Sequence, residues 1–457
     1  MSRAAPDHDV VVIGAGVVGS AIARELSRFE LRLALVEAGP DIGAGTSKAN
    51  TALLHTGFDA KPGSLEGRLV RRGHELLGEY ARTVGIPLER TGALLVAWSD
   101  EQLGAFEGIV ARARENGHTA IREVGVDELY RLEPNLGPGA HGALEVPDEG
   151  IVCPFTTPLA FVTEAVLAGC ELHLNTPVQR IDRLAGGGFR LNSAFTTRFL
   201  VNAAGLHCDE IDRLAGHDEF TVTPRRGELL VFDKLARPLL RHILLGVPTA
   251  TTKGVLVAPT VFGNVLLGPT AQDVEAKDDT SSTREGLAYL LAEGERILPE
   301  LLRHEVTAVY AGLRAATEVS DYRITTHVPE GYACVGGIRS TGLSASMAIA
   351  EHVRTELGAA GLSLEPKERT ATARMPYLGE ALPRPYAQPE RIAENPDYGR
   401  VVCFCERVTR GEIADAFAST IPPVDLDGLR RRTRVLMGRC QGFFCGAEVA
   451  ALLESST

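Results

Sequence analysis

Long apolar runs are missing from this 457-residue chain. No stretch approaches the roughly 20 residues that a membrane-spanning helix requires. The first apolar run, Val10 to Ile13, passes at once into a glycine-rich turn and leaves no room for a secretory signal, so a cytoplasmic location is expected. Positive charge is in deficit as well. Lys and Arg number 47 against 59 Asp and Glu, a formal net charge of −12. That balance argues against nucleic acid or anionic lipid as the main partner, although local basic patches still suit small anions. Cysteine is sparse over most of the chain. Cys153, Cys170, Cys208 and Cys334 are scattered and read as buried small apolar residues, not as a disulfide framework. With 44% hydrophobic and 23% charged residues the chain is globular, and its length allows two or three domains with buried cores.

The N-terminal pattern is strand, turn, helix, strand. Asp9 to Ile13 is apolar and β-branched, as a buried parallel strand should be. Gly14 to Gly19 form the turn, Ser20 to Phe29 have helical spacing, and Leu31 to Val36 form a second strand that ends at Glu37. Within this βαβ unit, Gly14-Ala15-Gly16-Val17-Val18-Gly19 matches G-x-G-x-x-G in the required place, after a strand and opening a helix. Gly14 permits the turn, Gly16 lets a pyrophosphate approach the backbone, and Gly19 lets helix and strand pack closely. Phosphate charge then meets the positive end of the helix dipole. Glu37, followed by Ala38, stands where a carboxylate accepts bonds from ribose hydroxyls. These residues point to a dinucleotide and leave NAD and FAD open.

Further along, strand-like runs (Gly92–Ala97, Phe199–Asn202, Gly227–Phe232, Val255–Ala258) alternate with helical segments. The expected architecture is α/β, a nucleotide-binding domain interleaved with a second, sheet-based domain. Between Pro366 and Arg400 lie Pro376, Pro383, Pro385, Pro389 and Pro396, which read as an extended connector. The compact segment after it holds four more cysteines: Cys403-Phe404-Cys405, then 34 residues, then Cys440-Gln441-Gly442-Phe443-Phe444-Cys445. Four thiolates suit zinc or an iron–sulfur cluster. C-x-C is tight for one tetrahedral ion, and two irons separate such ligands more comfortably. Arg430-Arg431-Arg432-Thr433-Arg434, ahead of the second pair, reads either as a solvated helix face or as a contact with the flavin domain or a redox partner.

Leu200-Val201-Asn202-Ala203-Ala204-Gly205, Thr176-Pro177-Val178 and Gly336-Gly337-Ile338-Arg339-Ser340-Thr341-Gly342-Leu343-Ser344-Ala345 resemble motifs of glutathione-reductase-like FAD proteins. The branch is that of D-amino-acid oxidase and FAD-dependent glycerol-3-phosphate dehydrogenase. Thr46-Ser47-Lys48-Ala49-Asn50, Leu53-Leu54-His55-Thr56-Gly57 and Ala311-Gly312-Leu313-Arg314 resemble segments of the anaerobic-type glycerol-3-phosphate dehydrogenase flavin subunits, with 2-hydroxyglutarate oxidases as near relatives. Met437-Gly438-Arg439-Cys440-Gln441-Gly442 resembles the bacterioferritin-associated-ferredoxin-like [2Fe-2S] domain fused to such dehydrogenases. The resemblance implies FAD held by the G-x-G-x-x-G residues and Glu37, by Ala38, Thr46, Ser47, Asn50 and Val178, and by Ala203, Ala204, Gly205, Gly337, Gly342, Leu343 and Ser344. It implies a [2Fe-2S] cluster on Cys403, Cys405, Cys440 and Cys445. The implied division is 1–365 for the oxidoreductase domain, 366–400 for the connector and 401–457 for the cluster domain.

The implied activity is oxidation of glycerol 3-phosphate or a related 2-hydroxy acid, with electrons passing from FAD through the cluster to a second redox subunit or acceptor. Such chemistry needs a base for the hydroxyl proton and a cation for the distal anion. His55 is the candidate base, since histidine titrates near neutral pH, or else a structural histidine lining the site. Arg314 is the candidate anion fork. Arg339 could bind the same anion or serve a salt bridge; Arg226 and Lys253 fit surface or ion-pair roles better, and His207 is placed to shape the pocket. Two other readings stand beside this one: an amine or imino-acid dehydrogenase subunit, and a non-catalytic electron-transfer subunit.

Overall fold

The computed structural model describes residues 6–248 and 254–455. Its first sheet centres on His8–Ile13, whose Val10, Val11 and Val12 are fully buried. This strand pairs in parallel with Leu33–Val36 on one side and Phe195–Asn202 on the other. Glu171–His173 and Tyr332–Gly336 extend the parallel set outward on the two sides. The chain order reverses across His8–Ile13, so a crevice opens at the carboxyl ends of these strands, the usual ligand position in such sheets. The helices Val17–Leu26, Leu65–Val84 and Gly342–Ala359 cover one face and pack on one another.

A second sheet of nine strands, largely antiparallel, is interleaved in sequence with the first. Its backbone is the long pair Thr223–Phe232 and Val306–Ala316. The α/β class and the interleaving match the sequence reading, with shifts at element ends. The first helix starts at Val17, because Gly16 is its N-cap and the last residues of the glycine motif already form a helical turn. The second strand begins at Leu33, and the run read as Phe199–Asn202 starts at Phe195. The proline-rich segment is not simply extended. Pro385, Pro389 and Pro396 each start a short helical turn, because proline's fixed φ and missing N–H suit the first helical position.

Residues 401–455 build a small core of their own from Val402, Val408, Ile413, Leu429, Val435, Leu436 and Val449. The arginine run ahead of the second cysteine pair is mostly buried, and it contacts the nucleotide-binding part of the fold. Arg432 donates to both Asp41 carboxylate oxygens at 2.9 and 2.8 Å, and Arg431 adds a third bond at 2.6 Å. Arg434 binds Glu406 at 2.8 Å and lies over the Phe262 ring, while Arg430 pairs at the surface with Asp427. Burial alone would raise the Asp41 pKa, but Arg432 and then Arg431 outweigh it and hold the carboxyl below its ordinary value. The tether is therefore intact at neutral pH and weakens only when acid protonates Asp41. Asp41→Asn leaves two buried guanidinium groups without a counter-charge, a loss of about 3–5 kcal/mol. The expected result is a lower melting temperature and faster proteolysis between residues 366 and 400. An unchanged melt and digestion pattern would show that the tether carries no stability.

Candidate active site and cluster site

The glycine motif forms the floor of the crevice. Gly14 has φ +98°, and a Cβ there would lie 2.6 Å from the Ala203 carbonyl oxygen. At Gly19 a Cβ would lie 1.9 Å from the Gly14 carbonyl, so strand and helix meet at a distance no other residue permits. Val17 and Val18 complete the first turn, which has no side-chain cap from Gly16 itself and presents the positive end of the helix to the crevice. The Val17 N–H donates to Ser47 Oγ at 2.9 Å.

Glu37 follows the second strand and accepts from the Ala15 and Gly39 N–H groups at 2.7 and 2.8 Å. The segment leading to Val178 is bonded to the same turn, with the Thr176 N–H donating to the Glu37 carbonyl. Ala203, Ala204 and Gly205 leave the neighbouring parallel strand beside Gly14, and the Ala203 N–H donates to the Ile13 carbonyl. Gly337 turns the chain with φ +68° after Tyr332–Gly336, and Gly342, Leu343 and Ser344 open the helix Gly342–Ala359. Ser344 Oγ accepts from the His55 N–H at 2.8 Å. Thr46 Oγ1 donates to the Leu313 carbonyl, and Asn50 braces the same loop through Ser47 and Ala52. The glycine cradle and uncapped helix starts fit a flavin dinucleotide laid across the strand ends.

His55 and Arg314 sit in opposite electrostatic settings. His55 lies between two carboxylates, Nδ1 at 2.8 Å from Glu149 and Nε2 at 3.2 Å from Asp59. Burial alone would lower its pKa, yet Glu149 and then Asp59 push it up to about 10. Arg314 stands across from Arg225 in the strand pair, two like charges in register. Asp273 takes up the charge of Arg225 at 2.6 Å, whereas Arg314 makes no ion pair among the described residues. Burial, with a smaller contribution from Arg225, lowers the Arg314 pKa to about 10, so it stays charged at neutral pH. Its guanidinium lies across Gly227, where a Cβ would come within 2.8 Å. Gly312 on the same strand face packs against the Ala49 carbonyl, which turns this face toward the 46–50 loop.

Other candidates are placed differently. Arg339 is committed to Glu66 at 3.1 Å and to the Ser320 carbonyl. Arg226 points to the other strand face and pairs with Asp279 at 3.1 Å. His207 is exposed and bonded to Glu210 at 3.1 Å. Lys253 lies outside the described residues. Glu149 and Asp59 escaped the sequence reading. Asp59 had a local signal, an acid one helical turn beyond His55; Glu149 had none.

The four C-terminal cysteines converge in two pairs, Cys403 with Cys445 and Cys405 with Cys440. Burial, Cys445 and its other surroundings push the Cys403 thiol up to about 11, against backbone N–H groups of Glu406 and Leu436. Cys440 is lowered, first by the Phe444 N–H and also by those of Gly442 and Phe443. Amide donors aimed at convergent sulfurs fit thiolates around a cluster. Phe404, Phe443 and Phe444 project outward from the same loops, 73%, 85% and 76% exposed.

Comparison with known proteins agrees with both halves. Residues 9–355 match the family described as FAD dependent oxidoreductase, and residues 401–455 match the BFD-like [2Fe-2S] binding domain. A glycerol 3-phosphate dehydrogenase of Caloramator mitchellensis is 34% identical over 97% of this chain and 93% of its own length. One component of the anaerobic glycerol-3-phosphate dehydrogenase of Escherichia coli (strain K12) is 28% identical over 99% of this chain and 89% of its own. The solved L-alpha-glycerophosphate oxidase of Mycoplasma pneumoniae with FAD bound superposes with a TM-score of 0.75 at 28% identity, covering 79% of this chain and 97% of that one. The chain belongs to the FAD-dependent oxidoreductase family, and it joins an FAD-binding domain to a [2Fe-2S] domain.

Proposed function

We propose that this chain oxidises glycerol 3-phosphate. The observation that carries the reading is Arg314, a half-buried cation on the loop-facing side of the strand pair with no carboxylate partner among the described residues. A phosphate dianion supplies the missing charge and matches the planar guanidinium fork. The names of the most similar relatives support the same substrate. In this reading substrate displaces Asp59 from His55, the imidazolium gives up its Nε2 proton to solvent, and the neutral ring then takes the hydroxyl proton at Nε2, while Arg339 holds the flavin-side turn through Glu66. FAD when bound supplies the two-electron acceptor, and the [2Fe-2S] cluster the one-electron outlet.

Residues 1–365 carry the oxidoreductase chemistry, 366–400 the connector and 401–457 the cluster. The outlet leads to a second redox subunit or acceptor, in the cytoplasm or against a membrane-bound partner, since no described helix is long and apolar enough to cross a membrane. The exposed Phe404, Phe443 and Phe444 give such a partner an apolar surface. Anaerobic addition of glycerol 3-phosphate is expected to bleach the flavin band within seconds. Bleaching by 2-hydroxyglutarate or proline, with none by glycerol 3-phosphate, would overturn the substrate and leave the flavin chemistry standing.

A further inference from the structure

Glu149 is 1% exposed and lies in the turn between the strands Gly142–Val146 and Gly150–Val152. One oxygen, Oε1, receives three groups: the Thr56 N–H at 2.9 Å, Thr56 Oγ1 at 2.7 Å and His55 Nδ1 at 2.8 Å. The first two are donors, so the oxygen is an acceptor, and His55 meets it at this distance by carrying its proton on Nδ1. The resting ring also carries a proton on Nε2, toward Asp59, and with Nδ1–H held by Glu149 this is the proton that leaves when the ring becomes neutral.

The backbone gives Glu149 a fixed position. Its carbonyl accepts from the Gly92 N–H at 2.9 Å, and the adjoining Gly150 pairs with Leu54, one residue before His55. The carboxylate and the imidazole are thus held by neighbouring strands of one ladder, although 94 residues separate them in sequence. Such a carboxylate has no packing use of its own, and its burial without a cationic partner would be costly.

We propose that Glu149 is a positioning residue for the oxidation, fixing the tautomer and ring direction of His55 so that Nε2 faces the substrate hydroxyl. The inference rests on His55 being the proton acceptor under the proposed function. In the step concerned His55 is neutral with its one proton on Nδ1; the substrate O–H bond breaks and its proton passes to Nε2, the O–H electron pair forms the C=O bond, the carbon-bound hydrogen leaves as hydride to FAD when bound, and Nδ1–H stays with Glu149. The carboxylate stays ionised throughout: burial alone would raise its pKa, but His55 and the Thr56 donors hold it below its ordinary value.

The groups that set the His55 charge come from several elements. Asp59 follows on its own loop and Glu149 on the hairpin. Arg71 and His74 lie on the helix Leu65–Val84, and His118 follows the helix Phe106–Glu115. The two carboxylates stabilise the imidazolium, His118 opposes it, and Arg71 and His74 act on His118. Removing the Glu149 charge therefore moves the His55 titration to lower pH.

The test uses the full-length protein with bound FAD and two readouts. Long-range nitrogen–proton spectra of histidine-labelled protein, with His55 assigned through His55→Asn, report the protonation state and tautomer directly. Stopped-flow flavin reduction by glycerol 3-phosphate across pH gives the acid limb of kcat/KM. In Glu149→Gln the His55 signal should titrate at least one pH unit lower than in the parent, and the acid limb should follow it. The limiting rate at high pH should fall by up to about 100- to 10,000-fold, the contribution of general-base catalysis that depends on the ring's orientation.

Glu149→Asp keeps the charge but retracts it, and should shift both readouts less than the glutamine variant does. It also serves if that variant fails to fold. An unmoved His55 signal and acid limb in the folded variant would overturn the proposal. A moved signal with an unchanged rate profile would instead remove His55 as the proton acceptor and leave Glu149 as its charge partner only.

Discussion

Arg314→Ala is expected to lower kcat/KM for glycerol 3-phosphate by about 100- to 10,000-fold while leaving the protein at least as stable as before. The first half follows from the fork. Two charge-assisted bonds to phosphate at about 1.5–3 kcal/mol each amount to two to four powers of ten. The second half follows from the strand pair. Arg314 faces Arg225 in register, and its pKa is lowered to about 10 by burial first and by Arg225 second. A cation whose folded-state pKa is lowered costs stability in its charged form, so its removal relieves the fold at neutral pH. This is the expected signature of a group kept for function at the expense of stability. Arg314→Lys keeps the charge but not the planar fork, and should fall between the two. Rapid-mixing measurements of flavin reduction, paired with thermal melts, check both halves. A loss under threefold would remove the phosphate role, and a large drop in melting temperature would mean that Arg314 has a structural partner.

The contrast between Arg314 and His55 shows what a sequence carries and what it hides. The glycine motif was legible because its pattern sits within one βαβ unit and Gly19 meets the Gly14 carbonyl there, although Gly14 and Gly16 also answer to Ala203 and Ser47 further along the chain. The cysteine pairs were legible for the same reason, since spacing alone limits what four sulfurs can bind. The surroundings of His55 were not. Whether a histidine is a neutral base or a charged ring depends on which carboxylates face it, and Glu149 reaches it across 94 residues through a strand pair. The isolation of Arg314 was hidden too. Three arginines near the same sheet look alike in sequence; Arg226 turns to the other strand face and pairs with Asp279, and Arg225, on the same face as Arg314, is taken up by Asp273. The arginine run before Cys440 was half legible: a charged stretch reads as solvated or as a contact with the flavin domain, and only the fold shows Asp41 across from Arg431 and Arg432, with Glu406 meeting Arg434 inside the cluster segment.

Cys440→Ala should separate the two redox functions of the chain. Cys440 is the sulfur to replace because it is only partly buried, whereas Cys403 and Cys445 belong to the small core at 1% and 2% exposure. Three thiolates do not retain the cluster well, so iron content and the iron–sulfur absorption should be largely lost. The flavin site lies on other elements, at the ends of His8–Ile13, Leu33–Val36 and Phe195–Asn202, and should keep its cofactor. Glycerol 3-phosphate should therefore bleach the flavin at a rate within about threefold of the parent, since neither Arg314 nor His55 is disturbed. What should disappear is the paramagnetic signal of the reduced cluster after substrate addition, and with it the transfer to a protein acceptor. Because metal binding adds folding free energy to a domain this small, its melting should also fall. The Asp41 ion pairs with Arg431 and Arg432 oppose that loss by holding the emptied domain on the flavin domain. Combining Cys440→Ala with Asp41→Asn tests the point. If the ion pairs hold the domain, the double variant is cleaved between residues 366 and 400 far faster than either single variant; if the effects only add, the cluster and the tether stabilise it independently.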